Sequence, residues 1–356
     1  MTLADRLSEL APPGPDAPDM ATLIAALRRE GVLAACAPAS HGGADLAHHP
    51  DDPVRLLETL AEVGRADLSA GRLFEGHVNA VKLVTLYAEG PQRDRLLDAA
   101  GQGALFGVWG ADGPDPVRLE GDRLSGQKLF ASGADVLDVA VVSARDTDDK
   151  LQLLVLERDR LRDRLYPEEW SVSGMEATAS GRCDLEGLVV HKDDMLGGPG
   201  DFLREPHFQG GVWRYAAVQM GAMRAMTAAA AAQLETRGQA DAPLQSARLR
   251  AMVTACETAR LWLVRAAEAV EHPDATLEAA ATSILARLKT AEEAVALMAA
   301  MDQALGAASF ATSHPVERRR RDLQFYLRQA NPDGLGETAM RTIRQDARLA
   351  RDWSLT

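Results

Sequence analysis

The sequence predicts an α+β protein in three parts: a helical domain over residues 1–102, a small β-barrel or sandwich over 103–198, and a four-helix bundle over 199–356. Three observations lead to this fold class. Apolar residues recur at helical spacing through the first hundred residues. Short apolar or alternating runs separated by Gly and Pro follow. Long Ala-rich helical runs with short loops then resume, as in an antiparallel bundle.

The N-terminal part reads as a series of capped amphipathic helices. Residues 22–30 form a short one that Gly31 ends, and Asp52-Pro53 opens the next with a cap and a first-turn proline. Residues 69–87 form a further helix. His77 lies on its apolar face, where a lone histidine is more often a satisfied core residue than a catalyst, and we interpret it so.

The middle part reads as short strands joined by turns. A hairpin is predicted around the Gly121-Asp122 turn. The predicted strands cover residues 104–110, 117–119, 124–130, 136–143, 151–156, 172–178, 181–185 and 188–190.

The C-terminal part reads as four helices, over 213–237, 247–271, 277–305 and from Pro315 onward. Gly306 ends the third, because glycine takes the left-handed conformation that commonly follows a helix. Small residues come next. This break is either an ordinary interhelical loop or a wall against which a cofactor can lie.

Composition excludes several classes of function. The net charge of −13 argues against a nucleic-acid partner. Cys36, Cys183 and Cys256 are far apart and show neither metal-ligand nor disulfide spacing, which fits a reducing cytoplasm. No basic apolar leader and no apolar run of about 18 residues is present, so no membrane association is expected. The basic run 318–321 is interpreted as a solvated helix face or as arginines paired with nearby acids.

Several motifs resemble the acyl-CoA dehydrogenase superfamily, whose members are FAD-containing homotetramers. Gln303-x-x-Gly306-x-x-x-Phe310, then Pro-Val-Glu-Arg at 315–318 and Arg-Asp at 321–322, resembles its C-terminal signature. The runs 126–132 and 174–190 resemble its middle strands, so the similarity covers nearly the whole chain. The family's next two glycines are replaced here by Ala307 and Ser309.

The resemblance implies FAD as cofactor. An aromatic ring (Phe130) would pack on the flavin, a hydroxyl (Ser132) would reach its edge, and Arg237 would meet the pyrophosphate across a subunit interface. Core packing is the alternative for Phe130 and Trp109, and a surface position is the alternative for Arg237. The predicted cofactor-binding residues are Phe106, Val108, Trp109, Phe130, Ser132, Arg237, Gln303, Leu305, Gly306 and Ala307.

The family's usual catalytic base, a Glu, is replaced by Ala330 in this sequence. Asp333 and Glu337 are the predicted stand-ins for removing an α-proton from a thioester. The alternative is that Pro332-Asp333-Gly334 is only a turn. Arg214 is the nearest candidate for binding the substrate's CoA phosphate.

The resemblance implies an FAD-dependent oxidoreductase acting on the CH–CH bond of an acyl thioester. One alternative is a flavin-dependent monooxygenase of the same fold, which needs no such base. Another is a non-catalytic helical oligomer with a degenerate flavin site. The expected partners are a small-molecule substrate, an acyl-CoA in the first case, and further copies of the chain in a dimer or tetramer.

Overall fold

The structure is a computed structural model that describes residues 1–11, 14, 16–48, 50–329 and 331–356. Its N-terminal part is helical, as predicted. Asp52 caps the third helix by accepting from the N–H groups of Val54 and Arg55, and Asp67 caps the fourth by accepting from Ala70. The helices are α1 (Leu3–Ser8), α2 (Met20–Arg29), α3 (Pro53–Ala66), α4 (Leu68–Tyr87) and α5 (Gly90–Gly101).

Two sheets follow. A six-stranded sheet has the order β3-β2-β5-β6-β9, with β1 also pairing parallel to β5, and a three-stranded sheet has the order β4-β8-β7. The predicted hairpin is confirmed, since Leu119 on β2 faces Leu124 on β3. The strands are β1 (Phe106–Trp109), β2 (Arg118–Glu120), β3 (Arg123–Ser125), β4 (Gln127–Lys128), β5 (Val139–Arg145), β6 (Leu151–Glu157), β7 (Leu165–Tyr166), β8 (Arg182–Asp184) and β9 (Met195–Leu196), with α6 (Arg158–Leu161) between β6 and β7.

The predicted strand over 172–178 is wrong. Met175 and Ala179 take left-handed backbone conformations, with φ of 59° and 45°, on either side of a 3₁₀ turn. The Met175 N–H donates to a side chain of the C-terminal helices, Asp322, and so cannot join a sheet ladder. The predicted strand over 188–190 is reduced to one bridge, between Val189 and Arg123.

The C-terminal part is helical, as predicted, but its last helix is divided. Asn331, in the left-handed conformation, caps a separate helix by accepting from Gly334. The long helices α7–α9 pack on one another, α10 packs on α7, and α11 packs on α9. The helices are α7 (Val212–Thr236), α8 (Pro243–Glu271), α9 (Ala279–Leu305), α10 (Pro315–Tyr326), α11 (Pro332–Gln345) and α12 (Ala347–Asp352).

The secondary structure changes from helix to strand, and later from strand to helix, near the predicted domain boundaries. Helix α5 ends at Gly101 and β1 begins at Phe106, while β9 ends at Leu196 and α7 begins at Val212. The division into domains at 102 and 198 stays a prediction. Among the described residues, no single helix is long and apolar enough to cross a membrane, and the one pair that would qualify together, residues 279–310 with α10, is bent by 117°.

Two predictions about side chains are confirmed. His77 is buried, its Nδ1 accepts from the Phe106 N–H, and its Nε2 lies 3.0 Å from the Leu33 carbonyl oxygen. Burial lowers its pKa to about 4, so the ring is a neutral core residue. Three of the four arginines of 318–321 are paired with acids: Arg318 lies 3.6 Å from Asp67, Arg320 lies 3.7 Å from Asp302, and Arg321 donates to Glu317.

Helices α3 and α7 approach so closely that glycine is required where they meet. A Cβ built on Gly64 would lie 2.2 Å from the Val218 carbonyl oxygen, and one built on Gly221 would lie 2.1 Å from the Ala61 carbonyl oxygen. Both obstacles are backbone atoms that cannot rotate away. This contact seats the N-terminal helices on the C-terminal bundle.

Gly221→Ala should therefore lower the free energy of unfolding by about 1–3 kcal/mol, the usual cost of overpacking. The measurement is urea unfolding followed by circular dichroism. Gly336→Ala is the matched control, because Gly336 also lies within a helix, α11, and its added Cβ would meet only a leucine methyl at 3.4 Å. The control should be neutral or slightly stabilising. Equal losses in both variants would contradict the close-approach explanation.

Candidate active site

One face of α4 is polar although most of the helix is buried and apolar. Arg72, Glu75, Asn79 and Lys82 follow one another at spacings of three, four and three residues, which places them on the same side of the helix. Glu75 and Lys82 are buried. A buried polar stripe of this kind must find partners on neighbouring elements.

These side chains line a cavity of about 170 Å³. The cavity lies between α4, β1, the first turn of α7 and the segment after α10. Its polar side is the α4 stripe with Arg214, and its other side is largely aromatic and aliphatic. The lining residues are Arg72, Glu75, Asn79, Lys82, Leu83, Val108, Phe202, His207, Phe208, Gly211, Val212, Arg214, Tyr215 and Gln329.

A continuous network joins the polar groups. Arg72 donates to Glu75 over 2.6 Å, and Asn79 donates to the other Glu75 oxygen. Arg214 donates to Asn79 over 2.9 Å and also to Glu271 at the end of α8. Lys82 completes the network, since its Nζ lies 2.7 Å from the second Glu271 oxygen.

The charges of this network determine which groups can take a proton. Burial by itself would raise the pKa of Glu271, but Arg214 and Lys82 lower it to about 2. Burial lowers the pKa of Lys82, against the opposing effect of Glu271. Glu75 receives donors on both oxygens. Both carboxylates of this network are therefore held by cations and amides, and the lowered pKa of Glu271 makes that carboxylate a weak base.

The predicted flavin-ring residues lie together on a loop after β4. Phe130 has a positive φ of 54° and is 53% exposed, an unusual state for a large apolar ring. The Trp109 indole N–H donates to the Ser132 carbonyl over 3.1 Å and anchors the loop. Trp170 packs edge-on between Phe130 and Phe325. An exposed aromatic face beside a half-buried hydroxyl fits the ring of a flavin.

A chain of hydrogen bonds connects this loop to α10. The Ser180 hydroxyl donates to the Ser132 hydroxyl over 2.8 Å and lies 2.7 Å from that of Thr178. Thr178 donates to the Met175 carbonyl, and the Met175 N–H donates to Asp322 over 2.6 Å. Burial, and then the nearby Asp67, raise the pKa of Asp322 to about 6.

The predicted nucleotide-binding residues form a second cluster at the far end of the bundle. Arg237 is exposed, and its Nη1 lies 3.5 Å from the Leu305 carbonyl oxygen. Gln303, Gly306 and Ala307 are exposed beside it, and Gly306 has a positive φ of 68°. A neighbouring molecule can reach these groups.

The remaining predicted site residues are divided between the cavity and other positions. Val108 and Arg214 line the cavity. Phe106 is fully buried, and its ring packs edge-on against His77. Asp333 and Glu337 are exposed on α11 and are not part of the cavity lining, so their catalytic role stays a prediction. Ala330 lies outside the described residues, but the preceding Gln329 lines the cavity.

The network that dominates the cavity was not predicted from the sequence. The signal was present in part, because Arg72, Glu75, Asn79 and Lys82 interrupt an otherwise apolar helix at helical spacing. Glu271 carried no local signal. It lies 189 residues from Lys82 in the chain, and only the tertiary fold brings the two together.

Asp322→Asn should remove a pH-dependent contribution to stability while the asparagine oxygen still accepts from Met175. The folded pKa of about 6 exceeds the ordinary 3.8, so the contribution is complete below pH 3.8 and is lost as the pH rises through 6. The stability of the wild type relative to the variant should fall by about 3 kcal/mol over this window, at 1.36 kcal/mol per pKa unit.

Urea unfolding of both proteins at a series of pH values measures this difference. The opposite contribution of His77, whose pKa is lowered, is common to both proteins and cancels in the difference. Parallel stability curves for the two proteins would show that Asp322 titrates normally in the folded state.

Comparison with known proteins agrees with the fold. Residues 207–345 match the C-terminal domain of acyl-CoA dehydrogenases. A dibenzothiophene monooxygenase of Rhodococcus erythropolis is 27% identical over 192 residues, which cover 50% of this chain and 45% of the relative. The chain thus spans about half the length of the curated relatives it matches.

Solved structures extend the similarity in fold to nearly the whole chain. Methanesulfinate monooxygenase MsuC from Pseudomonas fluorescens superposes with a TM-score of 0.79 at 19% identity, covering 97% of this chain and 98% of that one. FMN-bound TdsC from Paenibacillus sp. A11-2 superposes with a TM-score of 0.77 at 20% identity, covering 95% and 93%. The C-terminal part of the chain is thus similar to the acyl-CoA dehydrogenase C-terminal domain, and its overall fold is that of these solved structures.

Proposed function

We propose that the chain is a flavin-dependent monooxygenase of the acyl-CoA dehydrogenase fold that acts on a small molecule. The observation that carries the proposal is the state of the cavity carboxylates. Dehydrogenation of an acyl thioester needs a carboxylate free to accept the α-proton. Glu75 and Glu271 are both held by cations and amide donors. This favours the monooxygenase alternative over the predicted dehydrogenase.

A monooxygenase places different demands on the protein. The bound flavin, once reduced, supplies two electrons to O₂, so that one oxygen atom enters the substrate and the other leaves as water. The protein binds the ring, orients the substrate and excludes water. Phe130 and Ser132 would hold the ring, and Val108, which lines the cavity, would face the substrate.

The relatives support this assignment. Dibenzothiophene monooxygenase and methanesulfinate monooxygenase are named for oxygen transfer, and TdsC binds FMN. Whether this chain uses FAD, as the resemblance implies, or FMN depends on the cluster around Arg237, which only the pyrophosphate of FAD would need. Use of FAD would also involve a homo-oligomer, with Gln303 to Ala307 reaching a neighbour's cofactor. A cytoplasmic location is part of the same proposal.

Phe130→Ala should weaken flavin binding about tenfold, the worth of one favourable aromatic contact. Titration of flavin fluorescence with FMN and FAD in turn measures the effect. Leu355→Ala, at an exposed position near the C-terminus, is the control and should leave both affinities unchanged. Arg237→Ala should weaken FAD binding and spare FMN if FAD is the cofactor. Unchanged binding in Phe130→Ala would remove the loop from the flavin site.

The reaction itself is tested with a flavin reductase, NADH and labelled O₂. Dibenzothiophene, indole and methanesulfinate are the first substrates to assay, and mass spectrometry of the product is the readout. Incorporation of one labelled oxygen atom is expected with a compound that fits the cavity. Anaerobic bleaching of the flavin by butyryl-CoA, abolished by Asp333→Asn or Glu337→Gln, would instead establish the dehydrogenase.

A further inference from the structure

The network around the cavity carries one more positive than negative charge. Arg72 is matched by Glu75, whereas Lys82 and Arg214 share the single carboxylate Glu271. The side chains of Lys82, Arg214 and Glu271 are at most 3% exposed. Water therefore screens the excess charge poorly, and a buried unmatched charge is costly.

A second carboxylate shared by two cations, Glu58, differs from Glu271 in its exposure to solvent. Glu58 on α3 pairs with Arg224 and Arg260 in the same manner. Those three side chains are 25–36% exposed, so solvent can neutralise the extra charge at little cost. The Lys82–Glu271–Arg214 arrangement is almost excluded from solvent, and its two cations line the cavity.

A buried hydrogen-bond donor without a partner also indicates that the cavity binds a ligand. The Arg214 Nε is buried and, within the described part of the chain, has no hydrogen-bond partner. Its two Nη atoms are already occupied by Asn79 and Glu271. Buried donors are rarely left unsatisfied in a folded protein, so a missing partner at a cavity wall indicates a ligand.

Part of the cavity lining is aromatic or aliphatic. Phe202 and Phe208 pack edge-on against each other there, beside Val212. The cavity has a volume of about 170 Å³. Its lining thus combines cationic and apolar side chains.

We propose that the cavity binds the oxyanion of a small substrate, a carboxylate or a group of similar charge and shape on a short apolar or aromatic body, with Lys82 and Arg214 as its cationic partners. The interpretation of the bound anion as part of a substrate rests on the proposed function. The anion-binding step itself needs neither flavin nor turnover. The proposal replaces the predicted role of Arg214 as an anchor for a CoA phosphate.

The test uses the full chain without flavin and measures binding by calorimetry and thermal unfolding at constant ionic strength. The probes are benzoate and propionate, with benzamide and propionamide as their uncharged counterparts. Saturable binding of a carboxylate, and at least about tenfold weaker binding of its amide, is expected.

Three variants separate recognition from folding. Lys82→Met leaves one carboxylate with one cation, so the fold is preserved and carboxylate affinity falls at least about tenfold. Glu271→Gln leaves two cations unmatched, so the free protein is less stable and benzoate raises its melting temperature more than that of the wild type. Arg260→Met makes the same one-cation change at Glu58, away from the cavity, and should bind like the wild type.

Two results would overturn the proposal. The first is the absence of saturable carboxylate binding, or equal binding of benzoate and benzamide, by the wild type. The second is equal affinity of Lys82→Met and Arg260→Met, and this comparison stands even if Glu271→Gln does not fold. A chain that binds benzoate but transfers no oxygen would refute the proposed function alone, and oxygen transfer without carboxylate binding would refute only this inference.

Discussion

The arrangement of the cavity depends on Glu271, which lies between Lys82 and Arg214. This one carboxylate joins the end of α8 to α4 and to the first turn of α7. A buried ion pair contributes little net stability, because desolvation offsets most of the attraction, but removing one partner is costly. The interaction therefore fixes how the N-terminal helices sit against the bundle at the cavity, while the glycine contact of α3 with α7 determines how closely they pack.

Most of the helical fold was predictable because its signals are local. Asp52-Pro53 and Gly306 mark helix ends by their own chemistry, and periodic apolar residues define the faces between them. The short strands β7 and β9 were missed because two residues cannot display an alternation. A strand was predicted over 172–178, yet a contact with Asp322 on α10 accompanies a left-handed turn at Met175.

The site was predictable only where a family motif passes through it. Val108, predicted to bind the cofactor, and Arg214, predicted to bind the substrate, both line the cavity, and Phe130 and Ser132 share one loop. The motifs directed attention to a carboxylate near residue 330. The carboxylates of the network, Glu75 at the cavity and Glu271 behind it, are on α4 and α8, where no catalytic carboxylate was predicted. Their function as counter-ions follows from partners distant in sequence, and a single sequence does not reveal such pairs.

The chemistry of the cavity follows from the pairing of its carboxylates with cations, which compete with a substrate proton for the same oxygen atoms. A carboxylate that neutralises an arginine and a lysine has its pKa lowered, to about 2 for Glu271, and so loses the basicity that proton abstraction requires. The cations that lower this pKa also outnumber the acids, which makes the cavity suited to an anion. One arrangement of charges thus argues against a thioester dehydrogenase and for a small anionic substrate. The two conclusions share a physical origin but are tested separately. Assays of the flavin reaction test the argument against a dehydrogenase, and equilibrium binding tests the argument for an anionic substrate.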